Sequence, residues 1–274
     1  IDAFRIDLLA EHEQGAGAAS TQLGYRGGML VAGAGALYAA SYGGWAVAYT
    51  IMAGFMVVGM VAVLMTREPE DNGRSVLERA ETSFSQQLQD AVVAPFADFM
   101  GRHREWMVIL VFILFYKFGD AVAGVMASPF YVAMDFTKIE IADVSKIFGV
   151  AATVVGIAVG GAVVYRLGIF RALLFCGILQ ALSNLMFVYQ ATVGHDVGLL
   201  MVTIGLENLT GGMGSAAFVA YLSSLCSHAF SATQYALLSS VMALGRTVMA
   251  SGGGWAAQEL GWVPFFIAST FAAV

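Results

Sequence analysis

The sequence predicts an all-α membrane protein, a helical bundle divided by one polar segment, and three observations carry that prediction. The chain of 274 residues is 59% hydrophobic and 12% charged, against about 45–50% and about 25% in soluble domains. Its mean hydropathy of +0.77 makes lipid, not water, its solvent. Apolar runs of the ~20 residues that a membrane helix needs recur along it. Glycine, with 32 residues against four prolines, is frequent where membrane helices pack closely.

Taken in order, IDAFRIDLLAEHEQ at 1–14 reads as the last turns of a helix leaving the membrane. Spans follow at 20–41 and 45–65, joined by the short SYGG at 41–44. Residues 66–105 are polar. They open as a loop, TREPEDNGRS, after which Leu77, Phe84, Leu88, Val92, Phe96 and Phe99 recur near the helical period. Glu78, Arg79, Glu81, Gln87 and Asp90 lie between them, the pattern of an amphipathic helix on the membrane surface. A solvated linker is the alternative. Further spans are expected at 106–131, 146–165, 171–191, 197–225 and 233–257, and an eighth opens near Trp262. The expected units are 1–65, 66–105 and 106–274. The chain opens at Ile1 and stops at Val274 inside apolar elements, without a signal-peptide pattern, so it reads as a piece of a longer membrane protein.

Charge orients the bundle. With 66–105 in the cytoplasm, alternation puts 165–171 on the same side, where Arg67, Arg74, Arg79, Arg102, Arg104, Arg166 and Arg171 collect. Lys138 and Lys146 fall opposite, as the positive-inside rule requires. The net charge of −6 is spread along the chain and calls for no nucleic-acid partner.

Two stretches repeat. QGAGAASTQLGYRGGMLVAGAG at 14–35 and QYALLSSVMALGRTVMASGGG at 234–254 each set an arginine twelve residues after a glutamine. The pairs are Gln14 with Arg26 and Gln234 with Arg246; later come Gly44-Trp45 and Gly261-Trp262, each at a helix start. Paired repeats either side of a polar segment mark many secondary transporters; chance similarity of small-residue helices is the alternative. If the repeats are equivalent, 20–41 and 233–257 are the fifth spans of two six-span halves. That arrangement resembles a major facilitator superfamily transporter, with the chain running from the end of span 4 to the start of span 12 and lacking spans 1–3.

Ionisable side chains at membrane depth cost about 2.5–3.5 kcal/mol or more, so they face a cavity or a partner and point to function. Here they are Asp2 and Arg5, Arg26, Lys117 and Asp120, Glu207 and Arg246. Asp2/Arg5 and Lys117/Asp120 are three residues apart and share a helix face, so each can be a self-contained ion pair. Glu207 has no cation three or four residues away on its own helix; its partner is another helix, a ligand or a proton. Arg26 and Arg246 fit latches to neighbouring helices as well as substrate contacts.

Other chemistries find no support. GLENLTGGMG, 205–214, lacks both nucleotide-binding fingerprints. Cys176 and Cys226 stand singly, without CxxC spacing, and His12, His103, His195 and His228 fall in expected loops. No metal, cofactor or catalytic residue is expected, and the protein is not expected to be an enzyme.

ENLTGGMGSAAFVAYLSSLCSHAFSATQYALLSS at 207–240 resembles the bacterial muropeptide permeases of the AmpG type, a major facilitator family. IDAFRIDLL, GAGAASTQLGYRGGML, VVAPFADFMGR, FGDAVAGVMASPFYVAMDFTKIEIA and GGAVVYRLGIFRALL extend the likeness over nearly the whole chain. The resemblance implies a multi-pass, monomeric importer in the inner membrane of a bacterium. It would use protons to carry anhydro-muropeptides from periplasm to cytoplasm for cell-wall recycling. It also implies that spans 1, 4, 7 and 10 line the central cavity, the spans that hold most of the charges. Arg5, Lys117 and Asn208 are then candidates for substrate contact, Asp2, Asp120 and Glu207 for the proton, and Arg26, Gln234 and Arg246 for structure or gating. A facilitator for another solute, such as acetyl-CoA or a sugar, and a non-transporting membrane scaffold are the alternatives.

Overall fold

The computed structural model describes residues 2–66 and 92–272. These fold into α1 (Asp2–Leu8), α2 (Gln14–Leu30), α3 (Ala36–Met65), α4 (Ala94–Arg102), α5 (Trp106–Tyr116), α6 (Phe118–Ala133), α7 (Lys138–Ala142), α8 (Gly149–Leu167), α9 (Ile169–Val193), α10 (Val197–Leu225), α11 (Ser231–Ala250), α12 (Gly253–Leu260) and α13 (Trp262–Ala272). No strand occurs among the described residues. Four helical stretches there, Ala39–Met65, Trp106–Ala133, Ile139–Leu167 and Ile169–Val193, are long and apolar enough to cross a membrane.

The centre of the packing is a seam of small residues between α8 and α10. Gly156 and Gly160 are four apart, so they share a face and let two backbones approach. A Cβ on Gly160 would stand 2.7 Å from the Cα of Met213, and one on Gly212 would stand 2.5 Å from the carbonyl oxygen of Thr153. The same logic seats α2 on α8, where a Cβ on Gly161 would lie 2.7 Å from that of Ala19. At the far end Phe130, Phe187 and Phe266 are fully buried, with Phe187 stacked on Phe266 at 4.8 Å, and fasten α6, α9 and α13. Helix α3 is different: among its described side chains Ala48 alone is buried, and its apolar surface finds little cover among the described residues.

Two expected spans are interrupted, and a third begins early. The one at 106–131 breaks at Lys117, whose φ of −103° and ψ of 10° separate α5 from α6. No glycine or proline occupies that position; the partners that hold Lys117 come from elsewhere in the fold. The span at 233–257 breaks at Ser251–Gly252, ahead of two more glycines, which are poor helix formers. Helical structure before α8 begins already at Lys138. Thr137 caps it through a capping box, its hydroxyl accepting from the Glu140 N–H while the Glu140 carboxylate accepts from the Thr137 N–H at 2.8 Å.

Gly44 interrupts α3 with φ 76° and ψ 172°, and Gly261 ends α12 with φ 78° and ψ 166°. Each precedes a tryptophan, so the repeated Gly-Trp pairs take one backbone conformation. Only α4 represents the expected amphipathic helix, burying Pro95 and Phe99. Leu77, Glu78, Arg79, Glu81, Phe84, Gln87, Leu88 and Asp90 lie outside the described residues, as do Arg67 and Arg74.

Contacts group the chain turns into two ends. Arg102 donates to the carbonyl oxygen of Leu225 at 3.1 Å and Ser231 to Asp7 at 2.9 Å, so the ends of α1, α4 and α10 meet the start of α11. Opposite, Phe136 stacks on His195 at 4.5 Å. Phe170 packs on Tyr221 near the end of α10, so Arg166 and Arg171 belong to the same end as Arg102 and Arg104.

Candidate functional site

The break after α5 sets the Lys117 ammonium among acceptors from three helices. Its Nζ donates to Asp120 Oδ2 at 3.3 Å, Gln180 Oε1 at 3.3 Å, Ser215 Oγ at 3.3 Å and the Gly211 carbonyl at 3.4 Å. Only 15% of the lysine side chain is exposed, so these neutral oxygens and one carboxylate replace its hydration. Room for the group comes from Gly214, where a Cβ would fall 2.5 Å from Gln180 Oε1.

One turn before, on α10, Glu207 is partly buried and accepts a hydrogen bond from Asn208 Nδ2 at 2.8 Å. Asn208 is itself fixed, donating to the Ile204 carbonyl and accepting from Thr153 Oγ1 of α8, both at 2.9 Å. Asp120, Lys117 and Arg26 all lie within electrostatic range of the Glu207 carboxylate. Lys117, Asp120, Glu207, Asn208 and Arg26 thus form one neighbourhood, drawn from α2, α6, α10 and the α5–α6 break.

Asp2 and Arg5 form a second cluster. They pair at 3.7 Å, but the stronger ties of the buried Arg5 are to Ser223 Oγ of α10 at 2.6 Å and Gln14 Oε1 of α2 at 3.2 Å. Beside it Asp7 takes the Ser231 hydroxyl and faces His228 Nδ1 at 3.4 Å. Gln234 anchors a third cluster. Its Oε1 accepts from Arg102 at 3.0 Å and from the Ser227 N–H at 2.8 Å, and its Nε2 donates to Asp98 at 2.8 Å and the Pro95 carbonyl at 2.9 Å. Burial alone would push the Asp98 carboxyl up; bonds from Gln234 and Arg102 outweigh it and hold the group below the usual carboxylate value. The repeated glutamines do comparable work, each buried and each accepting from an arginine, but the groups they donate to differ: Gln14 donates to the Ile6 and Leu9 carbonyls just before its own helix, whereas Gln234 reaches across to α4. Arg246 is exposed, and no hydrogen bond or ion pair reaches it among the described residues.

Sequence reasoning passed over Gln180 and Ser215, which complete the shell of Lys117, and Ser223, which holds Arg5. Gln180 had a signal: it is a lone amide in the apolar run ALLFCGILQAL, where a polar side chain needs a partner on another helix.

A bundle of apolar helices with charged clusters held between them defines a multi-pass membrane protein of the transporter class. The chain belongs to the major facilitator superfamily, whose model matches residues 1–194. More narrowly, it is similar to the anhydromuropeptide permease of Escherichia coli (strain K12). The two are 40% identical over 275 aligned residues, 100% of this chain and 54% of the relative. A Rickettsia conorii (strain ATCC VR-613 / Malish 7) protein, named as AmpG-type transporter 4, is 38% identical over 97% of this chain and 64% of its own length. One from Rickettsia typhi (strain ATCC VR-144 / Wilmington), named as AmpG-type transporter 3, is 31% identical over 98% and 64%. The chain spans about half the length of the Escherichia coli permease. Its relatives are permeases and transporters, which fits a protein that moves a solute rather than transforming one.

Proposed function

We propose that this chain forms part of a proton-coupled importer that carries anhydromuropeptides across a bacterial inner membrane into the cytoplasm. The observation that carries the reading is the 40% identity to an anhydromuropeptide permease along the entire chain. The units 1–65 and 106–274, linked by 66–105, rock about a midplane cavity, the motion expected of paired repeats. Lys117, Asn208 and Arg5 meet carboxylates and sugar hydroxyls of the substrate; Asp2, Asp120 or Glu207 takes the proton.

Among the three acids Glu207 is the best placed. Its hydrogen-bond donor is the neutral Asn208 amide, whereas Asp120 and Asp2 are paired with Lys117 and Arg5. A proton on Glu207 therefore leaves no ion pair broken, while a proton on Asp120 strands an ammonium in the interior. The contacts of Arg5 with Ser223 and of Asp7 with Ser231 tie α1 to α10 and α11 at the arginine-rich end. In this reading they close the cytoplasmic exit and part when substrate is released, and Arg26, Gln234 and Arg246 act in structure or gating.

Uptake of labelled anhydromuropeptide into proteoliposomes, driven by an imposed pH gradient, tests the mechanism. With full-length Glu207→Gln the pH-driven accumulation is lost while exchange across equal pH persists. Undiminished, still pH-driven uptake would remove Glu207 as the proton carrier. Failure of the unaltered full-length protein to rescue a muropeptide-recycling defect would refute the substrate instead.

A further inference from the structure

We infer that the groove between α5, α9 and the end of α10 is a binding site for one acyl chain of an anionic phospholipid. The groove encloses about 380 Å³ and is lined by Val108, Phe112, Phe170, Leu173, Leu174 and Tyr221, among others. At ~30 Å³ for a water-sized group such as a methylene, that volume holds roughly twelve of them. Its wall is almost wholly apolar. Its polar atoms are few: of the two tyrosine hydroxyls in the wall, that of Tyr116 already donates to the Leu173 carbonyl at 3.0 Å. Gly177 keeps the floor open, since a Cβ there would stand 3.3 Å from the Tyr116 ring.

Depth identifies the guest. Along α9 the lining runs from Phe170 to Ile178, eight residues or about 12 Å at 1.5 Å per residue. That is less than half of the ~30 Å hydrocarbon core, so the groove lies within one leaflet, the one at the arginine-rich end. Phe170 and Leu174 are 75% and 67% exposed, so the groove opens sideways to lipid. A soluble ligand has no approach through that face, whereas a lipid tail is already there. Charge fixes the headgroup. Arg171 follows Phe170 and Arg104 precedes α5, both exposed; Glu105 is the acid beside them, leaving the mouth net positive. A chain buried in the groove thus carries its phosphate toward two guanidinium groups. The site is separate from the Lys117 neighbourhood and independent of which solute is carried.

Native mass spectrometry of the full-length protein, exchanged into detergent with phosphatidylglycerol or phosphatidylcholine of identical chains, tests it. The expected result is one retained lipid per protein, with phosphatidylglycerol preferred. Leu174→Trp, which fills the mouth from its exposed side and spares the packed core, abolishes retention of both lipids. Arg171→Gln and Arg104→Gln each lower the preference for phosphatidylglycerol about five-fold and leave retention of phosphatidylcholine as it was. Equal retention by Leu174→Trp and the unaltered protein means non-specific annular lipid and overturns the site. Unchanged preference in both arginine variants overturns the anionic headgroup, and a dimer replacing the lipid-bound species makes the groove an interface between copies.

Discussion

Replacing Gly156 by alanine should prise apart the two helices that hold the candidate site. A Cβ at that position would lie 2.9 Å from the carbonyl carbon of Leu209, 3.0 Å from its Cα and nearer still to its carbonyl oxygen. Non-bonded carbons are best at about 3.5–4.0 Å, and all three of these atoms are main chain, with no rotamer by which to withdraw. The α8–α10 seam must therefore open by roughly 0.5–1 Å, a gap that forfeits about a quarter to a half of each dispersion contact across it. Overpacking of this kind costs about 1–3 kcal/mol. Alanine returns up to ~1 kcal/mol of helix propensity, so the comparison needs a control that gains the propensity alone. Gly124 in α6 has nothing within 4 Å of its Cβ position and supplies one. The two alanine variants should differ by about 1–3 kcal/mol, or roughly 2–12 °C in unfolding midpoint at about 2–4 °C per kcal/mol. Thermal unfolding of the detergent-solubilised full-length protein, followed by fluorescence size exclusion, measures it. Because Thr153 on α8 holds Asn208 on α10, uptake should fall in Gly156→Ala as well. Equal midpoints for the two variants, or a higher one for Gly156→Ala, would refute the packing argument.

Two further outcomes are expected. Gly261→Ala should cost about 1–3 kcal/mol of stability and lower the unfolding midpoint accordingly, since only glycine occupies that backbone region freely. Gly252→Ala, at φ −79° with open space around it, should not; equal effects would show that conformation is not what fixes Gly261. Gln234→Leu leaves the Arg102, Ser227, Asp98 and Pro95 groups without their partner and should cost at least about 1–3 kcal/mol. It should also change the acid limb. Asp98 is held below its ordinary value of 3.8, so its contribution is complete above that value and disappears as pH falls through the lowered one. Removing the Gln234 bond raises the Asp98 value toward the ordinary one, so the gap between the two narrows and the stability lost on acidification becomes smaller in the variant. Unfolding midpoints measured from about pH 5 down to about pH 2 check it, and acid limbs of equal size would remove Gln234 as the cause.

Composition and apolar run lengths were enough for a membrane bundle, because lipid tolerates little but hydrogen-bonded helix and apolar surface. The span at 197–225 and the Gly-Trp turns were legible for local reasons: each depends on residues adjacent in the chain. The T-x-x-E capping box at Thr137 was equally local and was passed over, which is why the start of that helix was misplaced. The three-residue spacing of Lys117 and Asp120 foretold their pairing, whereas Glu207, expected to find its partner on another helix, a ligand or a proton, takes its hydrogen bond from the adjacent Asn208.

What the chain by itself determined, then, is its solvent, its helices and the inventory of charges placed at depth. Only the tertiary structure decided which of those charges meet. Asp120 beside Lys117 is a local partner, but the other groups that hold the ammonium at the break in its helix, Gln180, Gly211 and Ser215, are 63 to 98 residues away. Arg5 reads as half of a local pair with Asp2, yet its shortest bond crosses 218 residues to Ser223. A polar side chain in a membrane protein must find a partner, but spacing along the chain names that partner only when it lies within a turn or two of the same helix. Beyond that reach, glycine seams such as the one between α8 and α10 decide how closely helices approach, and so which groups come within hydrogen-bonding distance.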